Sequence, residues 1–222
     1  MKEERIHPMN ETDQFLTTLS KDEKKLVASL DTPFKIQAFL DSIVYPGGEQ
    51  NRSPIEVLRH REAHCLDGGL FASALMRLLG FEPKIVDLQP EPGKDDDHVL
   101  ALYKQKGFWG AVAKSNFSGL RFREPIHRTL RELVLTYFDD FFNIKGEKTL
   151  RYYSRPVHLA RFDRFHWMCE QGGVDAVESH LYKVKVIPLI TTEQATIFSP
   201  VDKRSFEAAT LGLNYDGVFK LA

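Results

Sequence analysis

Only two of the 222 residues are cysteines, Cys65 and Cys169. Two are too few for a disulfide framework or a thiolate-rich zinc site. That scarcity fits a reducing, cytoplasmic setting in which Cys65 stays a free thiol. No apolar run nears the ~20 residues needed to span a bilayer. The charged opening Met1-Lys2-Glu3-Glu4-Arg5 leads into no apolar stretch, so neither a signal peptide nor a membrane partner is expected. A net charge of −1 gives no electrostatic reason to expect a nucleic-acid partner. Internal repeats and low-complexity linkers are also missing. What remains, 42% hydrophobic and 27% charged, suits one soluble globular domain over residues 1–222.

Apolar residues at helical spacing predict one or two short helices over residues 11–30 and another over 33–43, closed by Tyr45-Pro46-Gly47-Gly48. Ser53-Pro54-Ile55-Glu56 is a full helix-start signal, with Ser at N-cap, Pro at N1 and Glu at N3. A further helix should run from Cys65 to Leu79 and stop at Gly80. Strand patterns follow at 84–88, 98–103 and 108–113, the last two as a hairpin, with a fourth at 120–123. Residues 127–142 and 174–182 read as helices. Helices first and then a mostly antiparallel sheet argue α+β.

The run Arg61-Glu62-Ala63-His64-Cys65-Leu66-Asp67-Gly68-Gly69 carries the chemistry. A thiol at a helix N-terminus feels roughly half a positive charge, and a nearby imidazole can take its proton. His98 opens a strand and is the candidate base. Gly68 and Gly69 each cost a helix about 1 kcal/mol relative to Ala, so a close neighbour is expected against that first turn.

Ser53-x-x-Glu56-Val57-Leu58-Arg59-x-Arg61-x-x-x-Cys65, followed by Leu70-Phe71-x-x-Ala74-Leu75-x-x-x-Leu79-Gly80-Phe81, resembles transglutaminase-like, papain-type cysteine enzymes over about residues 36–116. The resemblance implies a papain-like core at about 33–125 with a C-terminal elaboration over about 126–222. In that core a cysteine-bearing helix packs on the sheet, a strand opens with histidine, and its hairpin partner carries a tryptophan, here Trp109. It also implies a Cys65–His98 pair oriented by a third residue. The family's usual aspartate is missing beyond Trp109, and Asn116, or alternatively Ser115, stands in its place. His64, Asp97 and Trp109 are expected around the triad. The implied activity is thiol-dependent acyl transfer, hydrolysis or transglutamination, on a peptide, amide or other acyl substrate, with no cofactor and no metal.

Two rivals stand beside this reading. One is a non-catalytic binding module with a degenerate triad. The other is a metal-dependent hydrolase using His60, His64 and His98, although His-Arg-Glu-Ala-His displaces the glutamate from the metalloprotease position. The basic residues Arg121, Arg123, Arg128 and Arg131 could gather near the site, and Cys169 reads as a packed thiol.

Overall fold

The computed structural model describes residues 10–48 and 50–220. The chain is α+β. Three helices come first: α1 (Glu11–Thr18), α2 (Lys21–Ser29) and α3 (Pro33–Ser42). Asn10, Ser20 and Thr32 cap them by accepting backbone N–H bonds. The predicted start signal holds for α4 (Pro54–His60), where the Glu56 carboxylate accepts from the Ser53 N–H at 2.8 Å. Helix α5 (Cys65–Leu78) is the centre of the fold, buried along nearly its whole length. Gly80, at φ +87°, turns the chain out of it.

Among the described residues the sheet has seven strands. β1 (Lys84–Pro90), β2 (His98–Gln105), β3 (Phe108–Val112), β4 (Arg123–His127), β5 (Leu150–Ser154) and β7 (Val186–Pro188) lie in the order β4-β3-β2-β1-β5-β7. The two-residue β6 (Val157–His158) also pairs with β1. All these pairings are antiparallel.

Each face of the sheet holds a core. On one face Ile85, Val99, Ala101, Tyr103 and Val112 pack against α5, α3 and α7 (Gln171–Leu181). Phe39 and Phe71 stack there at 4.9 Å. On the other, Val86, Leu88, Leu100, Leu102 and Ala111 pack against Leu133, Val134, Tyr137 and Phe141. Alternate residues of a strand point to opposite faces, so these two lists fix the direction of every side chain on β1 and β2.

Two expected elements differ. The fourth strand is β4 at Arg123–His127, not 120–123. Residues 127–142 are not one helix: α6 covers only Leu130–Leu135. Beyond it the N–H groups of Tyr137, Phe138 and Asp140 bond carbonyls three residues back. The Arg123 guanidinium takes the Thr136 carbonyl at 3.1 Å, which removes an acceptor from the α-helical ladder.

Candidate functional site

Cys65 is the first residue of α5. The His64 N–H that precedes it donates to Asp67 at 3.0 Å, and the fully buried Asp67 also accepts from the Arg52 N–H at 2.8 Å. This carboxylate at the first turn fixes where the thiol sits. The glycine pair admits its expected neighbours. A methyl on Gly68 would overlap the Cβ of Lys114, and one on Gly69 would come within 2.8 Å of Val99 Cγ1. The strands therefore lie directly against the first turn of α5.

Cys65 lies on a cleft of about 620 Å³. Its thiol donates to the Asp97 carbonyl at 3.8 Å. His64 and Asp97 share the cleft, with Tyr45 and Tyr182 alongside. The His64 ring meets Tyr45 edge-on at 5.3 Å. Four carboxylates, Asp96, Asp97, Glu178 and Asp216, face one lysine, Lys220, among the described lining residues.

His98 is elsewhere. Its register partner is Leu88, and Leu88, Leu100 and Leu102 all belong to the core on the face away from α5. The imidazole is 4% exposed, and its Nε2 lies 2.7 Å from the Leu120 carbonyl oxygen. Burial lowers its pKa to about 4, so the ring is neutral at pH 7. The expected Cys65–His98 pair is thus divided by the sheet. A one-residue difference in strand parity is enough for that.

The third triad position is also not assembled. Asn116 Nδ2 donates to the Asn214 carbonyl at 2.8 Å, and its Oδ1 accepts the Asn214 N–H at 2.9 Å. The Ser115 hydroxyl accepts from the Phe117 N–H at 3.0 Å. Both residues line a neighbouring cavity of about 530 Å³. Trp109 packs with the core on the far face, beneath Lys104. On the α5 side, the side chain following β3 is Lys114, whose ammonium donates to the Leu40 and Ile43 carbonyls at 2.7 and 2.6 Å. That ties the end of α3 to the segment after β3.

The groups gathered at Cys65 are acidic instead. Asp87 on β1 is opposite Val99 and so faces α5. It is 1% exposed, and its Oδ1 has no hydrogen-bond partner among the described residues. Burial, first, and repulsion from neighbouring carboxylates raise both Asp87 and Asp97. The Cys65 thiol is raised well above its ordinary value, by burial and then by Asp97 and Asp96. A helix N-terminus favours a thiolate, but desolvation and two adjacent negative charges oppose it more strongly.

Among the described residues no three His, Cys, Asp or Glu side chains are arranged to hold a metal, so His60, His64 and His98 form no ligand set. Of the four arginines, Arg121 pairs with Asp41 and Arg123 with Asp140, while Arg131 donates to the Leu189 carbonyl. Cys169 contacts the Thr18 hydroxyl, and burial raises its thiol to about 11. Among the described residues no helix is long and apolar enough to cross a membrane. Sequence reasoning missed Tyr45, Asp87, Glu178, Tyr182, Asp216 and Lys220; the one local signal is Gly47, where a Cβ would meet Asp216 Cβ at 2.6 Å. No protein-family model matches the chain, and no curated protein matches it.

Proposed function

We propose that this chain is a binding module, built on a transglutaminase-like arrangement, whose cleft beside Cys65 receives a cationic group such as a primary ammonium. One observation carries the reading: the cleft that holds Cys65 is lined by Asp96, Asp97, Glu178 and Asp216, while His98 is on the opposite face of the sheet. A buried carboxylate without a counter-charge costs free energy, which a bound cation offsets. Asp87, behind this lining on the same face of the sheet, adds to the acidic character, its Oδ1 without a hydrogen-bond partner among the described residues. Tyr45 and Tyr182 supply ring faces or edges beside the acids, an environment in which ammonium groups are well held.

The test is titration calorimetry with N-acetyl-lysine methylamide at pH 8. Wild type and Cys65→Ala should bind alike, and Asp97→Asn should bind at least tenfold more weakly. Absence of binding to wild type would reject the reading.

A second reading, thiol-dependent acyl transfer, is favoured by the placement of Cys65 at the first residue of α5, its side chain on the cleft. Its base would then be a cleft carboxylate such as Asp97, not His98. Turnover of amide or ester substrates that is lost in Cys65→Ala would establish it.

A further inference from the structure

Residues 216–220 form one wall of the Cys65 cleft, and the segment 214–220 is held in two unequal parts. The first part is clamped. Asn116, far away in sequence, reads the backbone of this segment: its amide nitrogen donates to the Asn214 carbonyl at 2.8 Å and the Gly217 carbonyl at 3.3 Å, and its oxygen accepts the Asn214 N–H at 2.9 Å. The Asn214 amide in turn donates to the Tyr45 carbonyl at 2.8 Å. Two glycines permit the approach. A Cβ on Gly47 would come within 2.6 Å of Asp216 Cβ, and one on Gly217 within 2.7 Å of the Pro46 carbonyl oxygen.

The second part is the tip, Val218, Phe219 and Lys220, which lies along the cleft. Among the described residues no hydrogen bond or ion pair holds Phe219 or Lys220. The tip nonetheless brings Lys220, the one lysine among the described lining residues, to a cleft that Asp97, Glu178 and Asp216 also line. A segment clamped at 214–217, with no hydrogen bond or ion pair at 219–220 among the described residues, is positioned to be displaced from an acidic groove. Its tether gives it a high effective concentration, so it competes with any ligand of the same shape.

We infer that the ligand of this cleft is an extended peptide bearing an apolar residue beside a lysine, and that residues 218–220 occupy its place in the free protein. This inference rests on the reading of the cleft as a cation-binding site. Extended peptides combine backbone contacts with side-chain pockets, and here a lysine ammonium would be the anchoring group. Displacement of the tip would also uncover Cys65.

A chain ending at Gly217 keeps the clamp and removes the tip, and the peptide Gly-Val-Phe-Lys-Leu-Ala serves as the probe. Calorimetry should show the shortened chain binding this peptide at least tenfold more tightly than the full chain, with the affinity lost in Asp97→Asn. Iodoacetamide at pH 9 should alkylate Cys65 severalfold faster in the shortened chain, and added peptide should restore the slow rate. Equal peptide affinities and equal alkylation rates in the two chains would overturn the inference. If the shortened chain binds N-acetyl-lysine methylamide but not the peptide, the cation reading stands and this inference falls; if it binds neither, both fall. Should the shortened chain fail to melt cooperatively, full-length Lys220→Gln gives the same alkylation readout, expected faster than wild type, and an unchanged rate there contradicts the proposal.

Discussion

At the junction of β1 and β2 the two faces of the sheet hold opposite solutions to the same problem. On the face away from α5, His98 is buried as a neutral ring with its Nε2 at hydrogen-bonding distance from the Leu120 carbonyl. On the α5 face, Asp87 is buried and Asp97 half-buried on the Cys65 side, and among the described residues Asp87 Oδ1 has no hydrogen-bond partner. The histidine side is closed and satisfied, as structural polar groups are. The carboxylate side is under electrostatic load and borders a cleft, as ligand sites often do. The comparison teaches that proximity in sequence, Asp97 next to His98, gives no proximity in chemistry when a strand separates the two side chains.

The largest effect should come from acid. His98 falls from an ordinary 6.5 to about 4. A depressed histidine gives stability that is fully present above its unfolded value and lost as pH drops from 6.5 through about 4. At about 1.36 kcal/mol per unit the loss approaches 3 kcal/mol. Chemical denaturation of wild type and His98→Leu between pH 7 and 4 should show the wild type losing more. Parallel curves would mean that His98 is not buried neutral.

Overpacking the α5 face should rank next. Gly68→Ala would push a methyl into the Cβ and backbone of Lys114, a cost of about 2–3 kcal/mol by the usual range for overfilled interiors. The midpoint of urea unfolding reads it directly. An unchanged midpoint would show that the first turn of α5 does not lie against the end of β3.

A smaller effect of opposite sign is expected at Asp87. A carboxyl with a raised folded value contributes stability at low pH that is lost as pH rises through that value. Asp87→Asn removes the charge while retaining an amide oxygen for the Gln89 side chain, which donates to Asp87 at 2.7 Å. The variant should match wild type near pH 4 and exceed it by about 1 kcal/mol at pH 8. If it is less stable at pH 8, Asp87 is paired in solution and the cleft carries less load than described.

Much of the framework was legible from local signals. The Ser53-Pro54-Ile55-Glu56 start and the Gly80 stop are fixed within one helical turn, and the Gly68-Gly69 pair announced the strands that lie against it. The site was legible in part. Cys65 at a helix start, with His64 beside it, follows from the run itself. The face chosen by His98 did not. Strand β2 is buried on both sides, so Leu100 and Leu102 look no different in sequence from Val99 and Ala101. Without alternation the parity of the strand is unmarked, and a resemblance fills the gap with the family's geometry. Asn116 was misread for a related reason. A polar residue just past a hairpin suits a triad, but its partner Asn214 is too remote in sequence to be inferred. The shortened α6 was hidden because the Arg123 guanidinium that takes the Thr136 carbonyl comes from another element.

The central claim is that His98, buried on the far face of the sheet, does not serve as the base of Cys65. The most direct measurement is the rate of Cys65 alkylation by iodoacetamide, followed by peptide mass spectrometry from pH 5 to 10, in wild type and His98→Ala. The account predicts a rate that is low at pH 6, still rising at pH 9, and unaltered in its pH profile by His98→Ala. A plateau reached below pH 7 in wild type and lost in His98→Ala would contradict it.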